Sequence, residues 1–176
     1  MKTLIIYHSQ TGFTKRYAEW IAARIDGELI SLKEAKKQPT AYFDDYETIL
    51  FGSWAMAGNL VEGKWFYENA TSWQNKQLVI FCVGATPSES PEVDRMMENM
   101  LTEEQRGYMQ AFYLQGGLDY SKMKLGSKLM MKMFASMLRK KKDATQSEKE
   151  MAALIAHSYD LSDEKYIEPI VELISR

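Results

Sequence analysis

The N-terminal segment of the chain predicts a strand, a hydroxyl-rich loop and a helix in direct succession. The apolar run Thr3–Tyr7 predicts a buried strand, and the apolar positions of Phe13–Ile25 recur at three- and four-residue steps, as in an amphipathic helix. The loop between them contains one glycine, Gly12. Because a helix N-terminus leaves backbone N–H groups unpaired and carries a partial positive charge, this succession is typical of an anion-binding loop.

The side chains of this loop indicate which anion it suits. Ser9, Thr11 and Thr14 can each donate a hydrogen bond to a phosphate oxygen, and Gly12 allows the backbone to approach an anion closely. The loop lacks the glycines and lysine of a nucleoside-triphosphate loop and the three glycines of a dinucleotide fingerprint. The pattern therefore favours a single terminal phosphate. The alternative is a strand followed by an ordinary helix that Ser or Thr caps.

Length, charge and cysteine content limit the classes of protein that fit. The chain has 176 residues, enough for a substantial core, and we expect a single domain over residues 1–176. A net charge of −2 gives no general attraction to nucleic acid. The single cysteine, Cys82, excludes an internal disulfide and predicts a buried, inert thiol, and two distant histidines offer no metal motif. No signal peptide or bilayer-spanning run of about 18 apolar residues is recognisable, so we expect a cytoplasmic location.

Strand-like and helix-like segments alternate along the chain. After Thr3–Tyr7, the predicted strands are Glu28–Leu32, Thr48–Gly52, Gln77–Val83 and Gln110–Leu114. The predicted helices are Phe13–Ile25, Trp65–Ala70, Pro91–Met100, Glu148–Ala156 and Asp163–Ile174, the last capped by Ser162. This alternation predicts an α/β fold, a three-layer, doubly wound, five-stranded parallel sheet in the order 2-1-3-4-5. That order gathers the loops 9–14, 53–59 and 84–90 around a crevice at the carboxyl ends of the strands.

Two of these loops carry a resemblance to a known family. Ser9-Gln10-Thr11-Gly12-Phe13-Thr14 resembles the FMN phosphate loop of flavodoxins, Ser/Thr-x-Thr-Gly-x-Thr, and Gly52–Gly58 resembles the segment that borders their isoalloxazine ring. The resemblance implies FMN as the cofactor and an oxidoreductase that exchanges electrons between the flavin and a small substrate or quinone. The alternative is a non-enzymatic electron carrier that docks on redox proteins. No catalytic side chain is implied, because the cofactor carries the chemistry.

The resemblance also implies a set of cofactor-binding residues. The first loop would hold the phosphate, Trp54 and Met56 would contact the ring, and backbone donors of the third loop would face its pyrimidine end. The outer face of the ring would be covered by Trp54 or left open, since the third loop contains no aromatic residue. The full set is Ser9, Gln10, Thr11, Gly12, Phe13, Thr14, Ser53, Trp54, Ala55, Met56, Ala57, Gly58, Gly84, Ala85, Thr86 and Pro87.

A helical, Met/Lys-rich insertion, residues 117–160, precedes the last helix. Within the flavodoxin-like proteins, Phe112–Lys142 resembles the protoporphyrinogen dehydrogenase branch, whose members oxidise a porphyrinogen and pass electrons to a quinone at a membrane. From the residues alone, this stretch packs against the body, forms a docking surface or ends in a solvated basic tail. In the docking interpretation Met123–Lys142 makes peripheral membrane contact: Arg139–Lys142 approach anionic headgroups, and Met130, Met133, Phe134 and Met137 face lipid or a quinone.

Overall fold

The computed structural model describes residues 2–175, and its strands and helices alternate over most of that range. The strands are β1 (Thr3–Tyr7), β2 (Glu28–Ser31), β3 (Thr48–Met56), β4 (Asn59–Leu60), β5 (Gln77–Gly84), β6 (Met109–Gln115), β7 (Gly117–Leu118) and β8 (Tyr159–Asp160). The α-helices are α1 (Phe13–Ile25), α2 (Leu32–Ala35), α3 (Gly63–Ala70), α4 (Pro91–Met100), α5 (Glu103–Arg106), α6 (Leu125–Lys140), α7 (Gln146–Leu154) and α8 (Glu168–Ile174). Short 3₁₀ helices cover Thr40–Asp45 and Glu164–Ile167.

The main sheet confirms the predicted fold class and strand order. Its path is β2-β1-β3-β5-β6, with every neighbouring pair parallel. This is the predicted order 2-1-3-4-5, since the two-residue β4 lies off the path and pairs with β3. The carboxyl ends of β1, β3 and β5 therefore lie side by side, and the three loops predicted to form a site begin there.

The sheet is buried on both faces, as expected for a parallel sheet covered by helices. Alternate residues of β3 enter different cores: Phe51 packs with Phe66 of α3 and Trp73, whereas Leu50 packs with residues of α1 and α8. Cys82 is fully buried in the first core, and burial raises the pKa of its thiol to about 12. The thiol therefore stays protonated at neutral pH, in agreement with the buried, inert group that the sequence predicts.

The second predicted loop is a β-hairpin. The prediction that residues 53–59 form a loop was wrong, because β3 continues to Met56 and β4 returns beside it, pairing Ala55 with Leu60. The tip is Ala57-Gly58, and both residues have positive φ, 50° and 78°. Trp54 is consequently a strand residue, with a side-chain direction fixed by the pleat of β3.

The final helix also begins differently from the prediction. Asp163, not Ser162, caps the segment, since its carboxylate accepts a hydrogen bond from the Lys165 N–H. One 3₁₀ turn follows, and α8 begins at Glu168. Ser162 instead accepts a hydrogen bond from the Arg16 guanidinium at 2.6 Å, which ties this segment to α1.

The insertion forms its own small packed unit beside the sheet. Strands β7 and β8 pair antiparallel at its two ends, and α6 and α7 lie between them. Its buried residues form a cluster separate from the two cores of the sheet, namely Leu118, Ala135, Leu138, Ala152 and Ile155. Among residues 2–175, no helix has the length and apolar character needed to cross a bilayer.

Candidate functional site

The first loop leaves the N-terminus of α1 open. Gly12 is the N-cap residue, with φ of 103°, and no side chain caps the helix. The Ser9 hydroxyl accepts a hydrogen bond from the Gly12 N–H at 3.2 Å, so it stabilises the loop itself. The capped-helix alternative is therefore not what the chain adopts. The backbone donors of the first helical turn remain available for an anion.

A cavity of about 530 Å³ lies at the carboxyl ends of the strands, where all three predicted loops meet. Ligand sites in α/β sheets occur at this position, and the volume is in the range of small-molecule and cofactor sites. Of the residues predicted to bind the cofactor, those that line the cavity are Gln10, Thr11, Phe13, Thr14, Trp54, Ala55, Met56, Ala57, Gly58, Gly84, Ala85 and Thr86.

Four predicted residues lie outside the cavity wall: Ser9, Gly12, Ser53 and Pro87. Gly12 still shapes the site, since its left-handed backbone turns the loop into α1, and a Cβ there would meet no atom within 4 Å. Ser53 is fully buried, and its hydroxyl has no hydrogen-bond partner in the described chain. It directly precedes the cavity-lining Trp54 in β3.

Trp54 is held by a second aromatic ring. The imidazole of His8 stacks on the indole, with ring centroids 4.7 Å apart and planes inclined by 27°. Burial lowers the pKa of His8 below its usual value, so the stacked ring is neutral at pH 7. His8 therefore acts on the cavity through Trp54. Met56 lies further along β3 at the rim, and 42% of its surface is exposed.

The third loop contains no aromatic side chain, but β6 supplies one. Tyr113 lines the cavity, and its hydroxyl donates to the carbonyl oxygen of Thr86 at 2.6 Å. Ser88, further along the same loop, donates through its N–H to the side-chain oxygen of Gln115 at 3.0 Å. The sequence does not reveal Tyr113 as a site residue, because it lies inside an apolar strand pattern. The loop is thus fixed by polar side chains of the strand beneath it.

The insertion forms one wall of the cavity, which the sequence did not predict. Helix α6 and the residues just before it contribute Met123, Ser127, Met130, Met131 and Phe134, and α4 contributes Glu92, Val93 and Met96. Met130 and Phe134 also keep 45% and 42% of their surface exposed. The start of α6 is bound to the first loop, since the Lys124 N–H donates to the Gln10 side-chain oxygen at 3.2 Å.

The arrangement fits a flat aromatic ligand that ends in a phosphate. Thr11, Thr14 and the open N-terminus of α1 form a polar end, and no lysine or arginine occurs among the described lining residues. The remaining walls are mostly apolar or aromatic, from the hairpin, β6 and α6. Hydroxyls and backbone N–H groups therefore replace basic side chains as the partners for the anion.

Comparison with known protein families agrees with this fold. A family model described as a flavodoxin domain matches residues 4–145. The chain belongs to the flavodoxin domain family, which confirms the resemblance found in its first two loops and supports FMN as the cofactor. No curated protein matches the chain.

Distant structural likenesses are also found. A flavodoxin, WrbA-like protein from Agrobacterium tumefaciens is 18% identical, with 88% of this chain and 95% of that chain covered and a TM-score of 0.49. A flavoprotein in complex with FMN from Lactobacillus acidophilus NCFM is 19% identical, with 65% and 91% covered and a TM-score of 0.45. These likenesses are too weak to transfer a function to this chain.

Proposed function

We propose that this protein is an FMN-dependent oxidoreductase whose bound flavin exchanges electrons with a small apolar substrate or a quinone. The observation that carries the proposal is the apolar wall that α6 adds to the cavity, because it offers an apolar surface on which a flat substrate could pack beside the cofactor. The resemblance of Phe112–Lys142 to the protoporphyrinogen dehydrogenase branch favours a porphyrinogen as the electron donor.

Named residues would hold each part of the cofactor. The hydroxyls of Thr11 and Thr14 and the N–H groups of the first turn of α1 would bind the phosphate. Trp54 and Tyr113 would border the ring, and Ala85 and Thr86 would face its pyrimidine end through backbone donors. Bound FMN supplies reversible transfer of one or two electrons.

The protein itself would orient the cofactor and the substrate and exclude water from the cavity. Met130 and Phe134 would cover the open side of the cavity and lower its local dielectric, which strengthens the hydrogen bonds inside. A side chain acting as general acid or base is not required by this chemistry. Substrate specificity would accordingly depend on the shape of the α6 wall.

Flavin binding and substrate exchange are tested separately. The absorption spectrum of the purified protein, before and after addition of FMN, establishes whether the cavity takes the cofactor. The bound flavin is then reduced under anaerobic conditions and mixed with a water-soluble quinone or with an oxidised carrier protein. An oxidoreductase shows quinone-dependent reoxidation that saturates. A carrier shows fast reoxidation by the protein and a linear dependence on quinone concentration.

The α6 wall gives this experiment a matched pair of variants. We expect Met130→Gln to raise the half-saturating quinone concentration about tenfold, because it places an amide in an apolar contact. Leu125→Gln should leave that concentration unchanged, since Leu125 is 87% exposed and does not line the cavity. Equal quinone kinetics in both variants and the wild type would show that α6 does not contact the substrate.

A neighbouring, more exposed side of α6 supports a proposal about partners. Leu129, Met133 and Met137 are 61%, 64% and 60% exposed and form an outer apolar face. Residues 122–142 contain eight lysines and arginines and no acidic residue, although the whole chain has a net charge of −2. An exposed apolar face flanked by basic residues suits peripheral contact with an anionic membrane surface.

Binding to vesicles measures this contact. Lys140→Gln with Lys142→Gln should weaken binding to anionic phospholipid vesicles by about 2 kcal/mol, roughly thirtyfold, because each basic residue near the surface contributes about 1 kcal/mol. Lys33→Gln with Lys37→Gln makes the same change in charge elsewhere and should have little effect. Sedimentation with zwitterionic vesicles provides the lipid control. Identical losses for the two pairs would contradict docking through α6.

A further inference from the structure

The third loop has an unusually complete set of hydrogen bonds to its carbonyl oxygens. From Gly84 to Pro87, all four oxygens accept a hydrogen bond. In chain order, the donors are the Gly116 N–H (2.7 Å), the Tyr159 hydroxyl (2.7 Å), the Tyr113 hydroxyl (2.6 Å) and the Ser90 N–H (3.0 Å). Three of these oxygens accept from residues outside the loop, and the Pro87 oxygen accepts from Ser90 within the same turn. These hydrogen bonds fix the orientation of each peptide group in the loop.

These hydrogen bonds decide which groups the loop can present to a ligand. In a trans peptide the C=O and N–H point in opposite directions, and all peptide bonds within residues 2–175 are trans. Ala85 and Thr86 line the cavity, whereas Tyr159 does not, so Tyr159 holds the loop from behind. Among residues 2–175, the N–H groups of Ala85 and Thr86 make no hydrogen bond to a backbone carbonyl oxygen. The loop thus offers donors, and not carbonyl oxygens, to the cavity.

Tyr159 belongs to the insertion and not to the sheet that carries the loop. It lies in β8, opposite Leu118 of β7, and it packs against the buried cluster of the insertion. Ala85 packs against the same cluster. The hydrogen bond from Tyr159 to Ala85 spans 74 positions of sequence, and it joins the insertion to the loop at the strand ends.

We propose that Tyr159 is a positioning residue through which the insertion sets the electronic environment of the bound cofactor. It holds the Ala85–Thr86 peptide so that its N–H faces the cavity. This inference rests on the proposed binding of FMN, whose ring carries acceptor oxygens and gains negative charge on reduction. Donors fixed toward those atoms stabilise that charge, whereas a carbonyl oxygen in the same place would repel it.

The test compares two tyrosines of the insertion. Tyr159→Phe removes the donor to the Ala85 carbonyl, and that peptide then becomes free to rotate. We expect FMN affinity to fall about five- to tenfold, as for the loss of one neutral hydrogen bond, and the midpoint potential at saturating FMN to become more negative. Tyr120→Phe is the matched control, since its hydroxyl donates to the Ile155 carbonyl at 2.6 Å and not to a carbonyl of the third loop. It should change neither quantity.

A second measurement needs no cofactor. In the apoprotein, Tyr159→Phe should speed amide hydrogen exchange at Ser88 and Gly116. The Ser88 N–H donates to the Gln115 side chain and the Gly116 N–H donates to the Gly84 carbonyl, so both hydrogen bonds involve the third loop. Tyr120→Phe should leave exchange at both amides unchanged. Equal effects of the two variants on exchange and potential, or no effect of Tyr159→Phe, would overturn the inference. If wild-type protein binds no FMN, the proposed function fails, while the exchange result still decides whether Tyr159 positions the loop.

Discussion

Replacing Thr11 and Thr14 together by valine is expected to weaken FMN binding by about 3–6 kcal/mol, which corresponds to two to four powers of ten in the dissociation constant. Both residues line the polar end of the cavity, and the described lining contains no basic side chain that could compensate. In the proposed complex each hydroxyl would donate to a charged phosphate oxygen, and such hydrogen bonds contribute about 1.5–3 kcal/mol each. Titration of the apoprotein with FMN, followed by fluorescence, measures the loss.

The control for this experiment makes the same threonine-to-valine substitutions at two exposed positions. Thr40→Val with Thr71→Val removes two hydroxyls from residues that are exposed and outside the cavity. That pair should bind FMN as the wild type does. Valine has the shape of threonine, so thermal melts should show both pairs folded. An unchanged FMN dissociation constant in the Thr11/Thr14 pair would refute the assignment of the phosphate end.

The parts of the fold that sequence predicted well are those fixed by local signals. Helix α4 runs from Pro91 to Met100 as predicted, because proline at the first helical position marks its start. Strand β1 and helix α1 also match their predicted bounds, since a continuous apolar run and a helical repeat each leave one consistent assignment. The strand order followed from the alternation of these elements.

The parts that sequence did not predict depend on contacts between distant residues. Hydrogen bonds from Lys124 to Gln10 and from Tyr159 to Ala85, over 114 and 74 positions, place the insertion against the cavity. No local pattern reports such contacts. The sequence therefore predicts a packing, docking or solvated role for α6, but it does not predict that α6 forms part of the cavity wall. The hairpin was missed for a local reason, because its tip uses Ala57 at positive φ, where alanine is an unusual residue.

The wall formed by the hairpin also depends on the core behind it, and Phe66→Ala is expected to cost about 3–5 kcal/mol of the free energy of unfolding. Phe66 of α3 is fully buried and stacks on Phe51 of β3, with ring centroids 5.1 Å apart and planes inclined by 11°. Its removal would leave a cavity beneath the strand that carries Trp54. For a chain of this size the midpoint of thermal unfolding should fall by about 10 °C or more.

A substitution at a second, exposed phenylalanine shows whether the loss of stability comes from the buried packing of Phe66 or from the removal of any aromatic ring. Phe134 lies on α6 and is 42% exposed, so Phe134→Ala should lower the free energy of unfolding by less than about 1 kcal/mol. Phe66→Leu, which keeps most of the buried volume, should fall between the two. Equal unfolding midpoints for Phe66→Ala and Phe134→Ala would mean that α3 does not pack on β3 as described. The ordering Phe66→Ala, Phe66→Leu, Phe134→Ala, from largest to smallest loss, follows from burial alone and needs no cofactor to be present.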